Sequence, residues 1–357
     1  MNVIDTTENC RYCLMCRHIC PVTRATYNEA SSPHGWALTI ASVRRGLLDW
    51  NAETADLLYQ CADCGACQAA CVTDQPLPQA IVAARAQVVA AGQAPPAVAE
   101  IDAELRQSLS ATYADHATPA DVAIFAGAGA LPQYSASLGA ARTLLEQANV
   151  AHTAIGAGRE SGYLAYTLGL HDTARELARA TAEESVRAGC RTIIALSAED
   201  AHALLQIYPL LGAPLPDGLR VVELTTLLAE LLEADRLRLG RADVNLAYHD
   251  PCQTLRLPGR WHAPRTLLAA LTGRPAREGF WREGRAASCG ASGGLPFTQP
   301  KLAEQLARRA LDDLTASGAS TLVTDSPGCL AHLRAHAAPG VEVLGLYELL
   351  ANHILSS

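Results

Sequence analysis

The chain has 357 residues, 49% of them apolar, with only 5% aromatic residues and a formal charge of -8. That is enough length for two or three domains with cores of their own, and it speaks against a nucleic-acid surface, which needs a basic stripe interleaved with stacking rings. Met1 to Asn9 is polar and acidic, unlike an export signal, and no apolar run approaches the roughly twenty residues that span a bilayer, so the expected location is the cytoplasm, with any membrane association made through a partner.

The first chemistry comes at once. Cys10, Cys13, Cys16 and Cys20, followed by Pro21, read C-x2-C-x2-C-x3-C-P, and Cys61, Cys64, Cys67 and Cys71 repeat the spacing without the proline. Three thiolates at three-residue intervals can wrap the backbone around one face of an iron-sulfur cube, which leaves a fourth iron to a distant ligand. In two-cluster ferredoxins that ligand is the last cysteine of the other run. The same pattern here assigns Cys10, Cys13, Cys16 and Cys71 to one [4Fe-4S] cluster, and Cys61, Cys64, Cys67 and Cys20 to a second. Structural zinc, which favours two cysteines from each of two knuckles, fits the spacing less well. A disulfide framework is not needed by a chain of this length.

Between the runs, Leu38, Ile40, Ala41, Val43, Leu47 and Leu48 recur at helical spacing and predict a helix from Trp36 to Trp50, opened by the turn Ser32-Pro33-His34-Gly35. A second short helix is expected to end at Tyr59 and Gln60, and a third to run from Pro76 to Val89. The two cysteine runs with this helical insert resemble the α-helical ferredoxin domain of succinate dehydrogenase and fumarate reductase iron-sulfur subunits. That domain is expected over residues 1–92. Ala91-Gly92-Gln93-Ala94-Pro95-Pro96 then breaks the pattern, and residues 93–120 read as a linker helix.

Beyond the break, short β-like runs alternate with alanine- and leucine-rich helical patterns. Val122 to Phe125 precedes a helix to about Ala148, Thr192 to Leu196 one to about Ile207, and Leu219 to Leu224 one to about Ala234. Such alternation predicts α/β layers around a mostly parallel sheet. The pattern then repeats. Gly189 to Ser197 parallels Gly318 to Ser326, Gly218 to Ala229 parallels Gly340 to Ala351, and Val122 to Phe125 parallels Asn245 to Tyr248. Two copies of one α/β module are therefore expected, over residues 121–240 and 241–357, with a site in the cleft between them.

The second copy carries three more cysteines at strand ends: Cys252 in His249-Asp250-Pro251-Cys252, Cys289 in Cys289-Gly290-Ala291-Ser292-Gly293-Gly294, and Cys329 in Asp325-Ser326-Pro327-Gly328-Cys329. These segments resemble the cysteine-rich, or CCG, domain of the family containing heterodisulfide reductase subunits and the iron-sulfur subunits of glycolate oxidase, anaerobic glycerol-3-phosphate dehydrogenase and the lactate-utilisation complex. Complete modules of that family carry a lone cysteine, an adjacent pair before glycine, and a final C-x-x-C. Their counterparts here are Cys252, Ser288-Cys289, and Ser326-Pro327-Gly328-Cys329, so two of five cysteines are serines. In the first copy every position is lost: the lone site falls at Ala128 or Gly129, the pair near Gly156 to Gly158, and the C-x-x-C at Ser197 to Asp200. That copy is expected to be a scaffold without metal. Cys252, Cys289 and Cys329 leave three readings open: a third [4Fe-4S] cluster with His249, Ser288 or Ser326 as fourth ligand, a zinc ion held with His249, and an empty remnant.

Elsewhere the signals are weaker. Cys190, His202 and His332 read as packing residues and Asp250 as the cap of the following turn. Gly127-Ala128-Gly129 and Gly156-Ala157-Gly158 do not complete a dinucleotide fingerprint. No catalytic residue and no hydride acceptor is visible, so the resemblance implies an electron-transfer subunit of a flavin-dependent dehydrogenase complex. It would relay single electrons between a flavoprotein partner and a quinone, a membrane-associated acceptor or another carrier. The heterodisulfide reductase likeness implies the alternative, reduction of a disulfide or other acceptor at the C-terminal cysteine site.

Overall fold

The computed structural model describes residues 3–109, 120–127, 132–257 and 259–355. Ala128 and Gly129, which the first copy offers in place of a lone cysteine, lie outside them. The N-terminal region is helical. Ser32 accepts a hydrogen bond from the Gly35 amide and Pro33 takes the first helical position, which starts the helix Pro33–Arg44 and buries Trp36, Ala37, Ile40 and Ala41. This helix stops six residues short of the expected Trp50. Gly46, at φ 68°, turns the chain in the left-handed region and its amide closes on the Val43 carbonyl, which leaves Leu47 and Leu48 exposed. Asn51 and Thr54 form a reciprocal cap on Ala52–Tyr59. Leu77–Ala90 follows, then Pro96–Leu109.

The two α/β modules have the same topology. In the first, β1 (Val122–Phe125), β2 (His152–Ile155), β3 (Thr192–Ala195) and β4 (Arg220–Glu223) lie in the order β2-β1-β3-β4. In the second, β5 (Leu246–Tyr248), β6 (Arg277–Glu278), β7 (Thr321–Thr324) and β8 (Glu342–Gly345) lie in the order β6-β5-β7-β8. Every pairing is parallel. The order reverses beside β1 and β3 in one module and beside β5 and β7 in the other, and ligand groups gather at the carboxyl ends of such strands. Sequence periodicity missed β2 and β6. β2 is four residues of mixed polarity, and β6 is a two-residue edge whose arginine points to solvent.

One apolar core joins the modules. It includes Ile124, Ile194 and Val222 from the first sheet, Leu246, Tyr248 and Val323 from the second, and Leu346 and Leu350 from the last helix. Tyr347 donates from its hydroxyl to the Leu196 carbonyl at 3.0 Å, and Ser137 donates to Glu348 at 2.7 Å. The two copies are thus held face to face, which fixes the spacing of the cleft between their strand ends. No described helix is long and apolar enough to cross a membrane.

Candidate iron-sulfur centres and the adjoining cleft

The two N-terminal cysteine loops share a backbone shape. Tyr12 and Leu14 sit at φ 49° and 62°, two and four residues after Cys10, and Asp63 and Gly65 sit at φ 49° and 81°, two and four residues after Cys61. A left-handed residue at each of these steps curls the chain back on itself in both runs. Three of the four are not glycine, a strain that persists only where the surroundings impose it.

Cys20 lies within electrostatic reach of Cys61 and Cys64 in the second run and of Cys16 in the first. It ends one short helix and begins the next, with Pro21 at the first position, and its sulfur is buried. Burial, together with nearby Cys61, pushes the Cys20 thiol up to about 11. Burial likewise pushes Cys61 up to about 12 and Cys64, which faces Cys20, up to about 11. Cys67 is driven well above the usual thiol range by burial and by Cys64, Cys61 and Cys20. In the first run, burial and then Cys10 raise Cys16 to about 12. Cys13 is exposed, and Cys10, Cys16 and Cys71 are partly so. Cys71 lies 3.4 Å from the Thr73 hydroxyl.

This donor set fits iron-sulfur clusters. It is all soft sulfur, and without metal these buried thiols hold their protons, so loading a cluster releases them. Zinc bound at about 2.3 Å draws its ligand atoms within about 4 Å of one another. Among the described residues, the one group of three or more candidate ligands packed within 4.8 Å of each other is His249, Cys289 and Cys329.

That group stands at the carboxyl ends of β5 and β7. The sulfurs of Cys289 and Cys329 are 3.4 Å apart, and His249 Nε2 is buried with no hydrogen-bond partner. The contact with Cys329 and the His249 ring hold the Cys289 thiol well below its ordinary range against the effect of burial. Cys252 stands slightly apart, 3.3 Å from the Ser292 hydroxyl and packed against Cys64 and Ala66. Ser288 accepts from the Gly290 amide and shares a hydrogen bond with Ser292. Ser326 caps the helix Pro327–His336 and donates to Glu199 at 3.3 Å. Both serines are engaged elsewhere, so of the three groups considered as fourth ligand, His249 is the one with an unpartnered ring nitrogen, Nε2, beside the thiols.

The C-terminal loops sit directly on the second ferredoxin loop. Ser292 donates to the Ala62 carbonyl at 2.8 Å, and Gln253 donates to the Asp63 carbonyl at 2.8 Å. Arg256 and Asp63 form a buried ion pair at 2.8 Å. Gly293, at φ 68°, approaches so closely that a Cβ there would lie 2.6 Å from the Ala62 carbonyl carbon. Arg85 ties the junction. It is fully buried and donates to the carbonyls of Leu58, Cys61, Thr167 and Gly293, which belong to the helical region and to both modules. The signal for Arg85 was in the sequence, since it shares the buried stripe of Ile81, Ala84 and Val88. Asp63, Gln253 and Arg256 gave no such signal.

Between the modules, beside Cys329, opens a cleft of about 410 Å³ lined by Tyr134, Tyr163, Glu199, Asp200, Phe297 and His332, among others. Glu199 and Asp200 lie in the stretch that corresponds to the lost C-x-x-C of the first copy. Burial raises the Glu199 carboxyl to about 7, and that of Asp200 in the same direction. The first module therefore brings acids, not only scaffold, to the shared cleft.

Glu223, at the end of β4, behaves similarly. Burial, and then Asp325, raise it to about 8 despite Arg260 at 3.4 Å. A carboxyl raised in the folded state stabilises the fold below its unfolded pKa of about 4.5 and loses that contribution as pH rises through about 8. Glu223→Gln is expected to remove this slope and to stabilise the protein at pH 9 by on the order of a few kcal/mol, as read by anaerobic urea unfolding at both ends of the range.

Asp250 does not cap its turn. It makes two bonds to Arg265, at 2.9 and 2.6 Å, and accepts from the Glu283 amide. His202 and His332 pack against Gln253 and the Ala303 carbonyl, and Cys190 is core.

Comparison with known proteins agrees with this architecture. Residues 6–74 match the family model of the 4Fe-4S dicluster domain and residues 246–334 that of the cysteine-rich domain, so these two segments carry an iron-sulfur dicluster domain and a cysteine-rich domain. Among curated relatives, one subunit of the dihydromethanophenazine:CoB--CoM heterodisulfide reductase of Methanosarcina barkeri is 31% identical over 164 residues, 45% of this chain and 40% of that one. A probable membrane-anchored ferredoxin of Chromohalobacter salexigens is 30% identical over 51% of this chain and 27% of its own length. One subunit of the CoM/CoB fumarate reductase of Methanothermobacter marburgensis is 27% identical over 45% of this chain and 32% of its own. The matched segments thus span two-fifths or less of these relatives. A hypothetical protein from Helicobacter pylori shares the fold, with a TM-score of 0.62 at 13% identity over 90% of this chain and 67% of that one.

Proposed function

We propose that this chain is the electron-transfer subunit of a flavin-dependent oxidoreductase complex, with two [4Fe-4S] clusters held by Cys10, Cys13, Cys16 and Cys71 and by Cys20, Cys61, Cys64 and Cys67. When bound, the clusters supply one-electron redox chemistry. The protein's part is to hold them side by side, to exclude water from the inner one, and to set it against the C-terminal site. The observation that carries this reading is the packing of Cys252 on Cys64, which sets the C-terminal constellation against the inner set of sulfurs. At the outer set, Tyr12, Leu14, Met15 and Val72 are exposed beside the cysteines, an apolar surface suited to a flavoprotein donor, as interfaces favour aromatic residues and methionine. The terminal acceptor is a quinone or other carrier, and the complex works in the cytoplasm or at a membrane through a partner.

The cleft beside Cys329, with its acids and tyrosines, supports a second reading in which the chain itself reduces a disulfide or another acceptor. A metal held by Cys289, Cys329 and His249, either iron or zinc, would stand at its edge. The two readings separate in one experiment. Loaded protein reduced anaerobically with photoreduced flavin is reoxidised either by a water-soluble quinone or by an aromatic disulfide. The relay reading predicts faster reoxidation by the quinone. Preferential reaction with the disulfide, lost in Cys289→Ala and Cys329→Ala, would favour the reductase and set the relay aside.

A further inference from the structure

The two cysteine sets differ in their electrostatic surroundings. The first is exposed or partly so; of the arginines near it, Arg17, Arg44 and Arg45 are paired with Glu29, Asp5 and Glu8, and Arg11 is exposed to solvent, which screens its charge. The second set is buried, and three guanidiniums reach it from three elements. Arg24, one turn after Cys20, acts on Cys20 and Cys64 while stacked 3.7 Å over the Trp281 ring. Arg85 donates to the Cys61 carbonyl at 2.7 Å. Arg256 acts on Cys64 and Cys67.

Arg256 is neutralised by Asp63. Arg24 and Arg85 form no salt bridge with any described residue, although Arg85 is wholly buried and Arg24 Nε is buried without a partner. A buried cation without a counter-ion is costly. Arg24 has the Asp313 carboxylate nearby; the negative charge that Arg85 lacks is what four thiolates around an iron-sulfur cube would provide.

We propose that the site of Cys20, Cys61, Cys64 and Cys67 is the higher-potential member of the pair, and that Arg24 and Arg85 make it so. This rests on the two-cluster assignment above. Reduction adds one negative charge to a cluster site, and fixed cations close by in a low dielectric favour the reduced state. Burial alone acts in the opposite sense, because apolar surroundings penalise added charge. Arg85, buried without a counter-ion and bonded to the Cys61 carbonyl, and Arg24, which acts on Cys20 and Cys64, reverse that preference. The electron step is simple. One electron from an external donor of the reduced-flavin class is taken up at the exposed site, leaves it again, and is accepted at the buried site, with no proton or bond moving. Electrons then collect beside Cys252, so flow runs inward from the surface to the C-terminal site.

An anaerobic potentiometric titration followed by EPR tests this. The wild-type chain is expected to give two one-electron steps. Arg24→Gln, which leaves the bonds of Arg85 intact, is expected to lower the higher step by at least a tenfold change in the reduced-to-oxidised ratio, 59 mV for one electron. Arg24→Glu is expected to lower it by about twice as much, with the lower step unmoved in both. Cys13→Ser, which dismantles the exposed site, is expected to retain the higher step. The inference fails if Arg24 variants move only the lower step or neither, or if Cys13→Ser retains the lower one. A wild-type protein with iron and sulfide for fewer than two clusters would instead overturn the assignment beneath it.

Discussion

Arg85→Met is expected to separate the helical region from the modules it touches. The substitution preserves the length of an apolar stem but strands three carbonyls, those of Cys61, Thr167 and Gly293, in a region closed to water, while that of Leu58 keeps the Cys61 amide. Each buried acceptor left without a donor costs about 1–3 kcal/mol, so the loss should be about 3 kcal/mol or more, a large share of the stability of an ordinary domain. Tyr59, whose ring lies 4.8 Å from the guanidinium and whose hydroxyl donates to the Leu168 carbonyl, would lose its neighbour as well. The measurement is anaerobic urea unfolding of the loaded protein. A fall in the midpoint, with the helical region melting before the α/β modules, is the expected outcome. Wild-type stability in Arg85→Met would show that the junction is held by other contacts.

The second large effect concerns cluster content. Cys20 lies in the first run of the sequence, and the proposed assignment gives its sulfur to the second set, whose Cys61, Cys64 and Cys67 it reaches along with Cys16. Cys20→Ser is therefore expected to destroy the cluster of Cys61, Cys64 and Cys67 and to lower iron from about eight to about four per chain. Combination with other variants identifies which cluster is lost, because two changes at one site are not additive. Cys20→Ser with Cys67→Ser should keep about four irons, and Cys20→Ser with Cys13→Ser almost none. If the first pair loses all iron and the second keeps half, each run holds its own cluster and the crossed arrangement is wrong.

Much of the fold was legible because it was written in local patterns. Cysteine spacing marked the two N-terminal loops, and alternation of β-branched runs with amphipathic helices marked six of the eight strands. The internal repeat predicted two like modules, and their sheets have the same order. What escaped were features made by distance in the chain. Arg85 meets Gly293 across 208 positions and Asp63 meets Arg256 across 193, and no window of sequence holds both partners. The overrun of the helix past Arg44 had a different cause, since one glycine at positive φ outweighed two well-placed leucines. At the C-terminal site, spacing marked the three cysteines together. The structure draws Cys289 and Cys329 to His249 and turns Cys252 towards Cys64, a division set by the loops of β5 and β7 and by their contact with the ferredoxin region.

The inward direction of electron flow and the crossed ligands both presuppose a pair of neighbouring cubes in the first part of the chain. Iron and acid-labile sulfide counting on anaerobically purified wild-type protein, with EPR of the fully reduced state, tests that most directly. About eight irons with matching sulfide, and a signal broadened by interaction between two spins, is the predicted result. Protein that carries tetrahedral zinc at these sulfurs and no labile sulfide would contradict it.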